Sequence, residues 1–336
     1  MKILIDVAAH APSLAALRAR SDVTIDLVDL PEERAREIDP ARLREVDVLF
    51  CTLPPTNHAD LKQLKWIQIA STGYSQLFGL DLAAHGVRAT NARGCFDVPI
   101  AEWNIAMMIN LARNLRQMIR HQERGHWDRS AEFQSEIRGK TVGIWGYGGI
   151  GRETARVARL FGMRVHVLSR SGVRPRHDMF TVPGTGDPDA TLPHRVFKAG
   201  EEAEFLSDVD FLVVAMPLTK ATAGLIGSRE LALLPRRAFL LNPARGQIID
   251  EAALLAALLE GGIAGAALDT HHHNPLPSDH PLWQFPNVII TPHISGSSLN
   301  PAFLERLWTI FLTNVDRYAR QQPLLNELTA AELSGA

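Results

Sequence analysis

The chain has 336 residues, of which 46% are hydrophobic, and its formal net charge is −2 at pH 7 with a sequence pI of about 6.7. This length and hydrophobic content suffice for two domains with ordinary cores, and the lack of a basic excess argues against nucleic acid as a partner. The two cysteines, Cys51 and Cys95, are too few for a disulfide framework.

The N-terminal sequence favours a cytoplasmic protein without a membrane partner. Met1 and Lys2 lead directly into the apolar run Ile3-Leu4-Ile5, with neither the charged region nor the cleavage site of a signal peptide. No apolar run reaches the length that spans a membrane. A small molecule is therefore the expected substrate.

Short apolar segments alternate with helical patterns over the first part of the chain. This alternation predicts an α/β fold with a parallel sheet, in a flavodoxin-like arrangement. The predicted strands are 2–6, 23–28, 46–52, 66–71 and 87–91. The next segment, from Pro99 to about Arg124, has Met108 and Leu111 on an apolar side and predicts one long helix that links two domains.

A glycine-rich loop follows, in which the sequence spells G-x-G-x-x-G. Its residues are Gly146, Tyr147, Gly148, Gly149, Ile150 and Gly151. A strand pattern at 140–145 precedes the loop, a helical pattern at 150–161 follows it, and a second strand pattern lies at 164–168, which completes a βαβ unit. In such a unit the glycines permit a tight turn, backbone approach to a diphosphate and close helix–strand packing, while the helix N-terminus attracts the anion. We therefore predict a dinucleotide site here.

The late position of this loop predicts two domains. Strand patterns recur after it, as a doubly wound sheet requires. They lie at 210–216, 238–243, 265–269 and 288–292. A final helical pattern at 301–320 is expected to return to the N-terminal domain. The predicted fold class is α/β with two Rossmann-like domains: a flavodoxin-like substrate domain, discontinuous over 1–98 and 297–336, and a doubly wound, parallel-sheet NAD(P)-binding domain over 99–296.

The segment 172–200 interrupts the alternation of strands and helices. It is rich in proline and glycine and shows little periodicity, where a short helix and a turn would suffice. We predict a long loop near the adenosine end of the cofactor. Such a loop is either a functional flap or a tolerated surface insertion.

Several short motifs occur in order along nearly the whole chain. They are Ala70-Ser71-Thr72-Gly73, Ala101-Glu102, the glycine loop, Pro217-Leu218-Thr219, Asn242-Pro243-Ala244-Arg245-Gly246, Ala267-Leu268-Asp269 and Thr291-Pro292-His293-Ile294-Ser295-Gly296. Together they resemble the D-isomer-specific 2-hydroxyacid dehydrogenases, a family that includes glyoxylate/hydroxypyruvate reductases, phosphoglycerate dehydrogenases, formate dehydrogenases and the C-terminal-binding-protein corepressors. The resemblance implies hydride transfer with a nicotinamide cofactor and a homodimer formed through the helix at 99–124.

Two side chains at predicted strand ends suit the reduction of a 2-oxo acid. The reaction needs a cation for the carboxylate and carbonyl oxygen, and a proton donor for the developing alkoxide. Arg245 follows a buried strand, and its planar guanidinium suits a carboxylate; the alternative is a surface arginine in an ion pair. His293 follows the last strand, and imidazole both donates and accepts a proton near neutral pH; the alternative is a structural histidine. We predict catalytic roles for both.

The family's third catalytic position departs from its usual residue in this chain. It normally carries a glutamate that hydrogen-bonds the histidine, and the register between Asp269 and Pro275 places Asn274 there. An amide orients an imidazole but does not stabilise its charged form as a carboxylate does, so the pH optimum should differ. Formate dehydrogenases carry glutamine at this position, which gives the departure a precedent. The segment 95–99, however, does not reproduce their substrate-binding asparagine.

The resemblance also implies where the substrate carboxylate binds. The turn after the strand at 66–71 contains Ser71, Thr72 and Gly73, and the backbone N–H groups around Thr72 and Gly73 would bind the carboxylate. The alternative interpretation is an ordinary turn at a strand end.

The choice of cofactor is predicted from the end of the strand at 164–168. An NAD-preferring fold places an acidic residue about twenty residues beyond the glycines. Here Ser169, Arg170 and Ser171 stand instead, and a guanidinium flanked by hydroxyls suits a 2′-phosphate. NADP(H) is therefore favoured, with NAD(H) as the alternative. The resemblance implies further cofactor contacts at Met216, Pro217, Thr222, Pro243, Ala244, Arg245, Asp269, His293, Ser295 and Gly296.

Three adjacent histidines, His271, His272 and His273, raise the question of a metal site. In an extended segment they cannot all face one ion, and no carboxylate or cysteine cluster joins them at zinc spacing, so no metal is predicted. The predicted function is an NADP(H)-dependent reductase of a small 2-oxo acid such as glyoxylate or hydroxypyruvate. The alternatives are a non-catalytic NAD(P)-sensing protein similar to the corepressors, and a formate- or phosphite-type dehydrogenase.

Overall fold

The computed structural model describes residues 1–28, 34–130, 134–170, 172–176, 179–298 and 300–334. Ser171, one of the predicted cofactor contacts, lies outside these residues. The chain divides into two compact units. The first comprises Met1–Phe96, Asp178–Val182 and Ser297–Ala336, and the second comprises Asp97–His177 and Pro183–Gly296. The sequence placed the boundaries after residues 98 and 296, and it did not assign 178–182 to the first unit.

The first unit contains a five-stranded parallel sheet. Its strands are β1 (Lys2–Asp6), β2 (Thr24–Leu27), β3 (Val48–Cys51), β4 (Trp66–Ile69) and β5 (Arg88–Thr90). The order is β2-β1-β3-β4-β5, and every neighbouring pair is parallel. This is the flavodoxin-like order that the sequence predicts. The inner strands β3 and β4 are buried at every residue, as expected for strands covered on both faces.

The helices of the first unit come from both ends of the chain. They are α1 (Ala11–Arg18), α2 (Pro40–Leu43), α9 (Pro301–Ala319) and α10 (Ala330–Leu333). Helix α9 begins at Pro301 after Asn300, whose side chain accepts a hydrogen bond from the main chain of Ala302. The ring of Phe311 in this helix stacks on that of Phe50 in β3, at a centroid distance of 4.1 Å. The prediction that the final helix packs on the N-terminal domain is therefore confirmed.

The second unit contains a seven-stranded parallel sheet. Its strands are β6 (Thr141–Trp145), β7 (Arg164–Leu168), β8 (Arg195–Phe197), β9 (Phe211–Val214), β10 (Phe239–Asn242), β11 (Gly265–Leu268) and β12 (Val288–Ile290). The order is β12-β11-β10-β9-β6-β7-β8. Successive residues of β9 alternate between two buried apolar clusters, because neighbouring side chains of a strand point to opposite faces. The sheet is thus doubly wound, as predicted.

The second unit also contains helices. They are α3 (Asp97–Ala112), α4 (Leu115–Glu123), α5 (Gly149–Leu160), α6 (Glu202–Leu206), α7 (Ser228–Leu233) and α8 (Glu251–Leu259). Across the described parts of the whole chain, none of the helices combines the length and the apolar character needed to cross a membrane.

Two sequence-based expectations are wrong in the second unit. The single helix expected from Pro99 to about Arg124 is two helices, α3 and α4, because Asn114 between them adopts a left-handed φ of 45° that ends an α-helix. The loop expected at 172–200 contains β8, which pairs in parallel with β7 at the edge of the sheet. Three residues are too few to show a strand period in sequence.

Candidate active site

The predicted site residues of the second unit lie along one edge of its sheet. All strands are parallel, so their carboxyl ends meet at the same edge, where ligands bind in open α/β sheets. Across the sheet these ends lead into His293 after β12, Asp269 after β11, Arg245 after β10, Met216 after β9, Gly146 after β6 and Ser169 after β7. Neighbouring strands are about 4.8 Å apart, so the strands that carry Arg245 and Ser169 are separated by roughly 14 Å. The glycine loop lies between them.

The glycine loop has the shape that a diphosphate requires. Gly146 has a φ of 105°, and a Cβ there would lie 2.6 Å from the carbonyl oxygen of Ala215, so no other residue fits. A Cβ on Gly151 would clash with the carbonyl oxygen of Gly146, which shows how closely α5 packs on the loop. A Cβ on Gly148, by contrast, would meet no protein atom within 4 Å. The loop therefore offers a tight turn, an open face and a helix N-terminus, and these residues fit a dinucleotide.

The strand end next to the glycine loop carries a cation and no acid. Ser169 is half-buried, and its main-chain N–H donates to the carbonyl oxygen of Phe197 over 3.0 Å. Arg170 is exposed, and its guanidinium makes no hydrogen bond or ion pair with any residue that the structure describes. The guanidinium of Arg170 is thus available to an anionic ligand.

The turn after β9 is held by a threonine. The hydroxyl of Thr222 donates to the carbonyl oxygen of Pro217 and accepts from the main-chain N–H of Thr219, both over 2.7 Å. Met216 is buried at the start of this turn, and its main-chain nitrogen lies close to Gly146. In this structure Thr222 fixes the main chain that borders the glycine loop.

The turn that carries Arg245 is organised by a buried asparagine. The side chain of Asn242 donates to the carbonyl oxygen of Arg245 over 2.9 Å and accepts from the N–H of Ala244 over 3.1 Å, so it closes the turn around Pro243. The guanidinium of Arg245 donates to the carbonyl oxygen of Ala244 and forms no ion pair with a described residue. Burial lowers the pKa of Arg245 from its ordinary value, yet the group stays charged at neutral pH. An ion-paired surface arginine is therefore the weaker interpretation.

His293 stands in a strained turn that Asp269 holds in place. Its φ is 58°, in the left-handed region that residues other than glycine rarely adopt. Its main-chain N–H donates to the carbonyl oxygen of Asp269 over 2.8 Å. The carboxylate of Asp269, which is fully buried, accepts from the hydroxyl of Thr291 and from the N–H groups of Ile294 and Ser295 at 2.5 to 3.0 Å. The sequence predicted Asp269 and Ser295 as cofactor contacts, and the structure shows them organising the turn from His293 to Gly296.

Asn274 and the three histidines do not form a cluster in this structure. Asn274 is exposed, and its side chain makes no hydrogen bond with the described residues. The Nε2 atoms of His271 and His272 contact two different carbonyl oxygens, those of Thr291 and Ile249, over 3.1 and 2.8 Å. Within the described part of the chain, the group with three possible metal ligands within 4.8 Å of one another is His121, His126 and Asp128, which contains none of these histidines.

The predicted carboxylate-binding turn of the first unit follows β4. The hydroxyl of Ser71 donates to the carbonyl oxygen of Gly73 over 2.7 Å, and the side chain of Asn91 donates to the carbonyl oxygen of Thr72 over 2.8 Å. No described residue accepts a hydrogen bond from the main-chain N–H of Thr72 or Gly73. The side chains therefore hold the turn, while its two N–H groups have no hydrogen-bond partner among the described residues.

Two residues with a clear role in these turns were not predicted from the sequence. Asn242 holds the arginine turn of the second unit, and Asn91 holds the Thr72 turn of the first. Both asparagines are buried at or next to a strand end. An asparagine just after an apolar run was a usable signal, because a buried amide must find hydrogen-bond partners and a turn supplies them.

Comparison with known proteins places the chain among nicotinamide-dependent enzymes. A family model described as "D-isomer specific 2-hydroxyacid dehydrogenase, NAD binding domain" matches residues 105–295. The glyoxylate reductase of Thermofilum pendens is 30% identical over 297 residues, which cover 86% of this chain and 83% of that protein.

Solved structures show the same similarity over nearly the whole chain. The D-isomer-specific 2-hydroxyacid dehydrogenase family protein of Aeromonas salmonicida matches with a TM-score of 0.80 and 27% identity, covering 98% of each chain. The D-isomer-specific 2-hydroxyacid dehydrogenase of Xanthobacter autotrophicus, solved in complex with NADPH and MES, matches with a TM-score of 0.75 and 25% identity, covering 99% of each chain.

Proposed function

Because the chain belongs to the D-isomer-specific 2-hydroxyacid dehydrogenases, we propose that it transfers hydride between NADP(H) and a small 2-oxo or D-2-hydroxy acid of the glyoxylate or hydroxypyruvate type. Membership of the family makes it an oxidoreductase with an NAD-binding domain that acts on 2-oxo and 2-hydroxy acids. The observation that supports the proposal is the row of strand ends in the second unit, where Arg245 and His293 share an edge with the glycine loop.

The proposed reaction assigns one task to each of these residues. The bound nicotinamide supplies the hydride, which goes to the carbonyl carbon of the 2-oxo acid. Arg245 binds the carboxylate and polarises the carbonyl oxygen. His293 gives its proton to that oxygen as the alkoxide forms, and it takes the proton back when the reaction runs towards oxidation. For the turn after β4, the family resemblance implies that the N–H groups of Thr72 and Gly73 bind a carboxylate.

The proposal is tested by following nicotinamide absorbance with NADPH and a panel of 2-oxo acids. Turnover is expected with glyoxylate or hydroxypyruvate. His293→Ala and Arg245→Gln should each lower kcat/KM by about a hundredfold or more, since proton transfer and charge stabilisation each contribute on that order. A wild-type protein that binds NADPH but turns over no acid of the panel would instead favour the corepressor-like sensor.

Preference for NADP(H) is proposed from the end of β7. Arg170 is exposed beside Ser169 with no acidic residue at that position, and the similar enzyme of Xanthobacter autotrophicus was solved with NADPH. Arg170→Asp replaces attraction of the 2′-phosphate by repulsion, so the KM for NADPH should rise by about 10- to 100-fold while the KM for NADH changes little. Steady-state kinetics with both cofactors measure this.

A matched control for that measurement is Arg195→Asp. Arg195 is also exposed but lies at the amino end of β8, and the cofactor is proposed to bind at the carboxyl end of the sheet. This variant should leave both KM values unchanged. An Arg170→Asp enzyme with the wild-type ratio of NADPH to NADH efficiency would refute the preference.

The homodimer predicted through the 99–124 region stays a prediction, as does the cytoplasmic location. Large apolar side chains exposed on and after α3 and α4 support the dimer. They are Ile109, Leu115, Ile119 and Trp127, of which Trp127 is 86% exposed. Molar mass from light scattering of the purified protein tests it, and a monomer at micromolar concentration would contradict it.

A further inference from the structure

The segment 172–200 is attached to the glycine loop through a buried polar cluster. The phenol of Tyr147, the second residue of the loop, donates to Oδ2 of Asp187 over 2.6 Å. The guanidinium of Arg152, on the first turns of α5, lies over the Tyr147 ring at 4.9 Å from its centroid. Tyr147, Arg152 and Asp187 are each no more than 7% exposed. We call these three residues the clamp.

Further hydrogen bonds of the clamp hold the main chain of the segment. Arg152 donates to the carbonyl oxygens of Asp187 and Arg174, the latter over 2.6 Å. The carboxylate of Asp187 also accepts from the main-chain N–H groups of Thr191 and Leu192, over 2.9 and 3.1 Å. Arg174 and residues 187–192 of the segment are therefore fixed to the loop and helix that follow β6.

A neighbouring carboxylate adds a second attachment. Glu153 is 2% exposed, accepts from the N–H of Gly186 over 2.6 Å, and pairs with Arg156. Within the segment, the N–H of Arg176 donates to the carbonyl oxygen of Pro188 over 2.7 Å. A tolerated surface insertion does not need several charged groups buried beneath it, because each buried charge has a desolvation cost.

The position of Tyr147 explains what this attachment does. Tyr147 stands between Gly146 and Gly148, and glycines leave the backbone free to adopt many conformations. A loop that must turn its N–H groups towards a diphosphate loses that freedom on binding, which weakens affinity. Burial and the Asp187 carboxylate raise the pKa of Tyr147, so the phenol stays a hydrogen-bond donor at neutral pH.

We infer that the clamp preorganises the glycine loop, so that Tyr147, Arg152 and Asp187 are positioning residues for the cofactor diphosphate, and the residues they hold at 174 and 187–192 are a structural part of the cofactor site. This inference rests on the proposed function, in which the glycine loop binds the diphosphate. Because the diphosphate is common to NADPH and NADH, the clamp strengthens the binding of both cofactors by the same factor.

The test compares cofactor affinities of two variants, measured by isothermal titration calorimetry with NADPH and with NADH. Tyr147→Phe keeps the ring beneath Arg152 and removes only the hydroxyl, and Asp187→Asn removes the charge of the acceptor. Each variant is expected to weaken both dissociation constants by about three- to tenfold, since the lost hydrogen bond is to a carboxylate. The KM for NADPH should rise together with its dissociation constant.

The control is Glu204→Gln, which breaks the exposed pair with Arg195 at the far end of the same segment and should leave both affinities unchanged. Unchanged affinities in Tyr147→Phe would overturn the inference even if Asp187→Asn failed to fold, as would a loss confined to kcat. Failure of the proposed function gives a different result from failure of this inference. In that case the wild-type protein itself would not bind NADPH or NADH, or it would reduce no 2-oxo acid.

Discussion

At the scale of single residues, the strain of the site is concentrated at His293. Its left-handed φ of 58° costs free energy, and such conformations persist only where surrounding contacts hold them. The buried carboxylate of Asp269 supplies those contacts through the N–H groups of Ile294 and Ser295. Together with the hydroxyl of Thr291, these groups donate three hydrogen bonds to one aspartate, and they fix the turn that directs the side chain of His293.

The effect of Asn274 is a prediction at the same scale. The family resemblance implies that position 274 lies beside His293, and a carboxylate introduced there by Asn274→Glu would favour the protonated imidazole. The pH above which kcat/KM for 2-oxo acid reduction falls should then rise by roughly 1 unit. The sign follows because reduction needs the protonated form of His293. Initial rates between pH 5 and pH 10 measure the profile, and the neutral variant Asn274→Gln is the matched control. A profile of Asn274→Glu that coincides with that of Asn274→Gln would contradict the assigned role.

At the scale of elements, two glycines of the β6–α5 connection are required for different reasons, one for packing and the other for ligand binding. Gly151 contacts the loop so closely that a side chain would displace the helix, whereas Gly148 faces open space. Packing within the protein requires a glycine at position 151, whereas only a bound cofactor would require one at position 148. Gly148 also has an extended backbone, at φ −77° and ψ −163°, that other residues adopt.

This difference predicts opposite behaviour for two alanine variants. Gly151→Ala should lower the free energy of unfolding by about 1 to 3 kcal/mol through overpacking. Gly148→Ala should change the free energy of unfolding by less than about 1 kcal/mol, yet weaken NADPH binding several-fold because its Cβ occupies the approach of the diphosphate. Thermal unfolding without cofactor and calorimetric titration with it give the two readouts. Equal cofactor affinity in Gly148→Ala and wild type would argue against a diphosphate on this loop.

At the scale of the whole molecule, the two ends of the chain meet in the first unit. Leu328 donates a main-chain hydrogen bond to Ala89 of β5 over 2.8 Å, and Glu327 accepts two hydrogen bonds of 2.6 Å from Arg88. The C-terminal segment thereby covers the edge strand of the sheet, whose main-chain groups would otherwise be open to another chain. The pKa of Glu327 is lowered from its ordinary value, mainly by the hydrogen bonds from Arg88.

A pH-dependent contribution to stability follows from that lowered pKa. A carboxyl group that binds a proton less readily when folded stabilises the fold above its unfolded pKa, near 4.3, and loses this contribution as the pH falls. Glu327→Gln should therefore lower the free energy of unfolding by about 1 kcal/mol at pH 7 and by progressively less as the pH falls below 4. Urea titrations of the variant and the wild type at pH 7 and below pH 4 measure this difference in the free energy of unfolding. Glu45→Gln, which breaks a more exposed and longer pair with Lys2, is the control and should change little; a pH-independent difference would refute the argument.

The local sequence by itself determined the named strands other than β8, the helices α5 and α9, the order of the motifs and the identity of the residues at the strand ends. These features depend on short-range periodicity and on glycines and prolines, which act within a few residues. Arg245, His293 and the glycine loop were predicted because parallel strands bring their carboxyl ends to one edge whatever the loops between them do. The doubly wound order and the return of the final helix followed from the same pattern.

Only the tertiary structure decided the features that depend on contacts between distant residues. No local pattern shows that Asp187 meets Tyr147 forty residues earlier in the chain, that β8 pairs with β7, or that Asp269 holds the turn at His293. Asn114 ends a helix whose apolar pattern continues past it, because one left-handed residue outweighs periodicity. Buried polar groups must find partners wherever the fold brings them, and this is why the clamp on the glycine loop emerged only with the three-dimensional structure.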